Sequence, residues 1–261
     1  MDTDGGSADS DAWRMACSEA KEETTQEGKR MLDLLKDRKV IFFDVGYTLD
    51  MPASGDWMFT GKFLELAGEK LKQRSEAAVQ QARDAGLRFL EQTHTVKTVE
   101  AEIRNFYDYY SILSDHLQLG LSEKERDQIA RDRACNMKNY VPYPGITETL
   151  GTLSKTHKLG IISDTWPSIE QQLEYIGVSQ YFSFCTFSCF VGTFKPDPRI
   201  YRDALDKCGV PAGDTVFIDD SLTNLDGAAA LGITPVLIAA NPASDVETKY
   251  VKIRDLRKLI R

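Results

Sequence analysis

The chain has 261 residues, 42% of them hydrophobic and 28% charged, the balance of a globular protein long enough to bury a sizeable core. Its net charge is -8, and residues 1–28 hold eight acidic side chains against two basic ones, so most of the excess sits there and the rest is near neutral. Nucleic-acid binding therefore has no electrostatic support, no apolar run is long enough to cross a bilayer, and no basic and apolar leader follows Met1, so a cytoplasmic protein is expected.

Residues 1–38 read as an acidic extension. Its first eleven or so residues are rich in Asp, Gly and Ser and are expected to be disordered. From Trp13 to Asp37 the composition becomes helix-forming, and Met31, Leu32, Leu34 and Leu35 give an apolar face suited to docking beside a first strand. No chemistry is visible in this stretch. The five cysteines, odd in number and scattered, argue against a disulfide framework. Cys185 and Cys189 lie in an apolar stretch without a nearby His and read as buried thiols rather than metal ligands.

Val40 to Phe43 is a non-alternating β-branched and aromatic run, the pattern of a strand buried on both faces of a parallel sheet. It ends at Asp44. Met51 to Trp57 has turn chemistry at Pro52 and Gly55 and reads as a loop. A helical block follows from about Phe59 to Tyr140, with Phe63, Leu64, Leu66, Ala67 and Leu71, then Leu87, Leu90, Ile103, Phe106 and Tyr110, on a 3.6-residue period. Residues 51–140 are accordingly assigned to an inserted helical unit. The cluster Phe106, Tyr107, Tyr109 and Tyr110 is expected to be bundle core rather than a ligand wall.

Val141-Pro-Tyr-Pro-Gly145 breaks the pattern and returns the chain to the main domain, residues 39–50 and 141–261. A helix from about Ile146 to Lys155 precedes a second strand, Leu159 to Ser163. Pro167 and Gly177 frame the next helix. Phe182 to Phe187 is a third strand, with a helix from about Arg199 to Cys208 after it. Thr215 to Asp219 is a fourth strand, its helix running to Leu231 with Gly232 as cap, and Pro235 to Ala239 is a fifth. The alternation predicts an α/β fold, a doubly wound parallel sheet with a Rossmann-like core and an inserted α-helical cap domain.

Such a sheet delivers the carboxylate of Asp44, the hydroxyl of Ser163 and the pair Asp219 and Asp220 to one edge, with Lys195 heading a helix nearby. A lone carboxylate facing an acidic pair calls for a divalent cation, and hard oxygen ligands favour Mg²⁺. Lys195 and Ser163 supply a point charge and a hydroxyl donor for a phosphoryl group. Phosphoryl transfer to a carboxylate is a plausible product of this set.

Asp44-Val-Gly-Tyr-Thr-Leu49, Ser163 closing Ile-Ile-Ser, Lys195 in Gly-Thr-Phe-Lys-Pro-Asp-Pro, and Phe-Ile-Asp219-Asp220-Ser-Leu-Thr-Asn224 resemble the four ordered motifs of the haloacid dehalogenase-like hydrolases, over about Lys39 to Ala240. The helical block between the first two motifs is similar to the cap that one subfamily inserts there. The resemblance implies a Mg²⁺-dependent phosphatase acting on a small phosphorylated metabolite through an aspartyl-phosphate. Asp44 would be nucleophile and metal ligand, Asp220 a direct ligand, Asp219 an additional or water-mediated one, and Gly46 a ligand through its backbone carbonyl. Ser163 and Lys195, with Asp164 beside them, would hold the phosphoryl oxygens, Thr48 would orient the loop, and Asn224 could support the metal's water shell.

Gly46 departs from the family pattern, in which phosphatases usually carry an aspartate two residues after the nucleophile as general acid and base. Its loss removes a proton transfer worth about 10² to 10⁴ in rate. Three readings follow: an easily departing leaving group, a substitute such as Asp164 or Asp50, or a catalytically silent phosphate-binding or regulatory protein. A metal-independent 2-haloacid dehalogenase also dispenses with that aspartate, but it would not want the Asp219-Asp220 pair beside its substrate. Trp57, Phe59 and Phe190 are the candidate substrate-facing aromatics. The sequence is silent on oligomeric state.

Overall fold

The computed structural model describes residues 29–260. Residues 1–28, with the disorder and most of the helix expected there, lie outside it. A helix over residues 29–35 (α1) docks through Met31 and Leu35, both buried, whereas Leu32 of the expected apolar face is exposed.

The main sheet has six parallel strands: β1 (Val40–Phe43), β4 (Lys158–Ser163), β5 (Phe182–Phe187), β6 (Thr215–Asp219), β7 (Thr234–Ile238) and β8 (Val251–Ile253). Their order is β5-β4-β1-β6-β7-β8. β1 is central, pairing with β4 and β6 in register, Phe43 opposite both Ile161 and Ile218. It is buried on both faces because alternate side chains enter different cores. Ile41 and Phe43 join Met31 and Leu35 of α1, α6 (Ile146–Leu153) and α7 (Ile169–Tyr175). Val40 and Phe42 meet α9 (Pro198–Cys208) and α10 (Leu222–Ala229) on the other face. Gly160 of β4 has room only for hydrogen, since a Cβ there would lie 2.3 Å from the Phe184 ring.

Between β1 and α6 the chain builds four helices, α2 (Gly61–Leu71), α3 (Glu76–Thr93), α4 (Val99–His116) and α5 (Glu123–Cys135). They enclose a core of their own. Phe106, Tyr109 and Tyr110 are fully buried in it, as their spacing predicts. Ser75, Thr98 and Ser122 cap the last three helices, and at the last the Glu125 carboxylate accepts in return from the Ser122 amide, so sequence chemistry fixes each start.

The stretch expected to be loop from Met51 begins as a strand instead. β2 (Asp50–Pro52) pairs antiparallel with β3 (Tyr140–Pro142), so the two connections into and out of the helical unit are bound together. The helical block correspondingly stops at Cys135, before Tyr140. Three-residue strands holding a proline apiece carry no readable alternation, which is why the pattern does not reveal them. The four described cysteines outside residues 1–28 are free, and Cys189 is buried with Cys185 half-buried. Among the described residues no helix is long and apolar enough to cross a membrane.

Candidate active site

The chain leaves β1 toward β4 and β5 on one side and later fills β6, β7 and β8 on the other, so β1 is the switch point of the sheet. Such a point opens a crevice beyond the strand ends. Asp44 sits there, its amide donating to Ile218 O at 2.9 Å. Asp44, Gly46, Ser163, Asp164, Lys195 and Asn224 line one cleft of about 280 Å³.

Lys195 organises the charges. Its Nζ, nearly out of solvent, donates to Asp44 Oδ1 and to Asp219 Oδ2, each at 2.7 Å, and to Ile162 O at 3.3 Å. Burial alone would depress the ammonium, but the Asp219 and Asp44 carboxylates outweigh it and hold the pKa well above the ordinary lysine range. Lys195 is thus permanently charged, and Asp44 Oδ2 is left without a hydrogen bond among the described residues.

Asp219 is fully buried, and its Oδ1 accepts from the Ser221 amide at 2.7 Å. Asn224 Nδ2 donates to both its oxygens at 3.1 Å. Asn224, expected to support a metal's water shell, thus holds Asp219 directly. Asp220 is more open, with Oδ2 accepting from Ser244 Oγ at 2.9 Å, and burial beside Asp219 and Asp44 pushes its pKa up to about 7. Asp44, Asp219 and Asp220 each offer an oxygen within 4.8 Å of the others. Three carboxylates so close are a fitting cradle for a hard divalent cation. No hydrogen bond from a described residue ends on the Gly46 carbonyl, which leaves that oxygen free to join them. Asp219, engaged by Lys195 and Asn224, is better placed to hold the lysine than to ligate directly.

Asp164 Oδ1 accepts from the Lys195 amide at 3.0 Å, tying the β4 loop to the lysine loop, and burial raises its pKa to about 6. Ser163 is buried at the cleft wall. Thr48 is buried too, but its hydroxyl has no hydrogen-bond partner among the described residues, so its expected orienting role has no visible bond behind it. Asp50 does not line the cleft but sits behind Gln172, which does: Oδ2 accepts from Gln172 Nε2 at 2.6 Å, and burial pushes its pKa up to about 7. Of the two expected substitutes for the missing acid, only Asp164 reaches the cleft.

Gly46 is covered. A Cβ at this position would lie 3.2 Å from Trp57 Cζ2. Trp57 packs edge-on to Tyr47, which adopts a left-handed backbone at φ 57°. A non-glycine residue in this conformation stores backbone strain. Phe59 instead stacks on Phe63 in the helical core, and Phe190 is exposed beside Phe187, so neither lines the cleft. Arg133, Trp166, Ser168 and Gln172 do line it and were not foreseen. They lie in helices or loops whose patterns mark only packing.

A family model for haloacid dehalogenase-like hydrolases matches residues 38–232. The chain belongs to the haloacid dehalogenase-like hydrolases. It is 34% identical over 89 residues to the mouse haloacid dehalogenase-like hydrolase domain-containing protein 3, covering 34% of this chain and 36% of that one. It is 27% identical over 147 residues to phosphoglycolate phosphatase of Pseudomonas syringae, covering 54% of each. Its fold matches 2-haloacid dehalogenase of the same species with a TM-score of 0.56 at 21% identity, over 85% of this chain and 96% of the other. The chain spans 11% of one matched curated relative and 54% of another. As in other hydrolases of this family with a helical cap, the four-helix insertion follows the first motif. The fold accommodates both phosphatases and dehalogenases, so the side chains of the cleft must decide between them.

Proposed function

We propose that this hydrolase is a Mg²⁺-dependent phosphatase of small phosphorylated metabolites, working through an aspartyl-phosphate on Asp44. The observation that carries the reading is the Asp44, Asp219 and Asp220 triad with a single lysine among them. Around Asp44 three carboxylates face one ammonium, so an anionic group brought to the nucleophile is repelled unless a cation is added there. A bound Mg²⁺, held by Asp44, Asp220 and the Gly46 carbonyl, would neutralise phosphoryl charge as a Lewis acid.

The chain's own groups do the rest. Lys195 holds Asp44 Oδ1. Oδ2 is then the oxygen that attacks phosphorus, forming the Asp–O–P bond as the bond to the leaving oxygen breaks. Ser163 and Lys195 donate to the phosphoryl oxygens as charge builds on them. Water then adds at phosphorus, the Asp–O–P bond breaks, and Asp44 returns as a carboxylate with release of inorganic phosphate.

The leaving oxygen lacks an aspartate at position 46 to protonate it, so substrates with aryl, acyl or otherwise stable leaving groups are favoured. Asp164 is the carboxyl placed to give partial help, its pKa near 6 suiting proton transfer. The partners in this reading are small phosphorylated molecules in the cytoplasm, without nucleic acid or membrane.

The test is phosphate release from an aryl and an acyl phosphate, with and without Mg²⁺, by the native chain and by Asp44→Asn. Mg²⁺-dependent release, abolished in a folded Asp44→Asn protein, is expected. Turnover of a 2-haloacid without metal would establish a dehalogenase. Mg²⁺-dependent binding of phosphate without turnover would establish a silent binding protein.

A further inference from the structure

Of the four charged side chains lining the cleft, three belong to the motif loops and the fourth, Arg133, comes from α5 of the helical insertion. It is only 8% exposed and forms no ion pair with a described residue. Nη1 donates to the Tyr140 hydroxyl at 2.7 Å, Nε is buried without an acceptor, and no described residue accepts from Nη2. The guanidinium lies 4.8 Å from the Phe106 ring centre and 5.9 Å from that of Tyr140, apolar faces that cannot neutralise it fully.

Two carboxylates feel this charge, Glu102 and Asp50, and neither is hydrogen-bonded to the guanidinium or within ion-pair distance of it. Glu102 accepts from the amide and hydroxyl of Ser168, at 2.8 and 2.7 Å. Asp50 accepts from Gln172 through Oδ2, and its buried Oδ1 takes no hydrogen bond from Arg133 or any other described residue. Burying a cation without a paired anion is strongly unfavourable, and arginine's planar fork is suited to an oxyanion that takes two bonds at once. A helix with a reciprocal N-terminal cap carries the residue, so its approach to the cleft is fixed by structure.

We infer that Arg133 receives a second oxyanion of the substrate, a carboxylate or a further phosphoryl group, while Lys195 and Ser163 hold the group that reacts. The inference rests on the phosphatase reading and narrows it to small phosphate esters with two anionic ends. A cleft of about 280 Å³ suits a compact molecule of this kind. Arg133 is then a specificity-determining residue contributed by the insertion, outside the four motifs.

The test is calorimetric binding to the full chain in excess Mg²⁺ of three phosphonates: phosphonoacetate with a carboxylate, methylenediphosphonate with a second phosphoryl group, and ethylphosphonate with neither. At least one doubly anionic ligand is expected to bind about tenfold or more tightly than ethylphosphonate, a factor in keeping with one charge-assisted contact. Whichever is favoured identifies the second group. Arg133→Met should erase that preference and Arg133→Lys keep part of it. Equal affinity for all three in the native chain overturns the inference whether or not Arg133→Met folds. So does a preference that survives in folded Arg133→Met, or an equal loss for ethylphosphonate, which would place Arg133 on the reacting group. Failure of the phosphatase reading is a separate result, seen as no phosphate release from any ester while the binding preference stands.

Discussion

The indole of Trp57 lies over Gly46, so the space beside the nucleophile where this family's phosphatases usually carry a general acid is filled by an aromatic ring. A Cβ at position 46 would come within 3.2 Å of Trp57 Cζ2, so the indole would have to give way by a few tenths of an ångström even for a methyl group. The absence of the aspartate is thus built into the packing of the loop that leads to the helical insertion.

Restoring the acid by Gly46→Asp alone is therefore expected to fail. The carboxylate must displace an indole braced by Tyr47 and Tyr140, with ring centres 5.1 and 6.1 Å away, and overpacking of this kind costs about 1–3 kcal/mol. Gly46→Asp with Trp57→Ala makes room. The double variant should raise the ratio of alkyl to aryl phosphate turnover about 10- to 100-fold, because a proton donor matters most where the leaving oxygen is basic. Steady-state rates on the two ester classes give the ratio. A gain in the single variant equal to that in the double would show that the indole is no obstacle.

The sheet and the acidic edge of the cleft were legible in the sequence for a physical reason. A central parallel strand is buried on both faces and reads as an unbroken apolar run, so the polar residue that ends it stands out, as Asp44, Ser163 and Asp219 do. Arg133 had no such contrast, since an arginine near the end of an amphipathic helix looks like any exposed one until packing shows which way it turns. Ser244, which holds Asp220, lies beyond the last strong motif in a turn that only tertiary contact brings back. The β2 and β3 pair was hidden for another reason: its partners are about ninety residues apart in sequence, and each is too short to show a period.

Metal binding is expected to appear in stability as well as in turnover. A ligand that binds only the folded chain stabilises it by about 2.7 kcal/mol at a hundred times its dissociation constant. Thermal unfolding with increasing Mg²⁺ should therefore move to higher temperature. Asp220→Asn should abolish most of the shift, because it removes a ligand charge from the triad. Asp219→Asn should weaken it less and instead loosen Lys195. Equal loss in the two variants would mean that Asp219 ligates as directly as Asp220.

Acid should destabilise the protein through His94. Its ring is buried between Trp166 and Phe194, with Nε2 2.7 Å from Ser188 Oγ, and burial lowers its pKa from the ordinary 6.5 to about 4. The unfolded chain takes up a proton at this residue near pH 6.5 and the folded chain only near pH 4. The stability is present above pH 6.5, is lost progressively as pH falls, and is gone below about 4. The loss is on the order of 3 kcal/mol. Asp50 and Glu102, whose burial raises their pKa, act in the opposite direction. A His94→Gln variant shares those groups, so the difference between its urea stability and the native value, at pH 7.5 and 4.5, isolates the histidine. Parallel pH profiles for the two proteins would show that His94 is protonated in the folded state.

Lys195 gives the sharpest separation of architecture from chemistry. Among the described residues its ammonium is the one positive group bonded to both Asp44 and Asp219, and its side chain is 2% exposed. Lys195→Met keeps the volume but leaves two buried carboxylates facing each other without a cation. Breaking such a pair from one side costs about 3–5 kcal/mol, far more than a surface ion pair contributes. Much of that loss should return in Lys195→Met with Asp219→Asn, because the second change removes the uncompensated charge rather than supplying a new bond. Turnover should not return with it, since neither side chain donates to a phosphoryl oxygen as an ammonium does. Urea unfolding and phosphate release, measured on the same four proteins of the double-mutant cycle, read the two quantities independently. Recovery of stability without activity is the expected outcome. Recovery of both would reduce the lysine to a counter-charge for Asp219, and recovery of neither would show that the loss does not come from the uncompensated charge of Asp219.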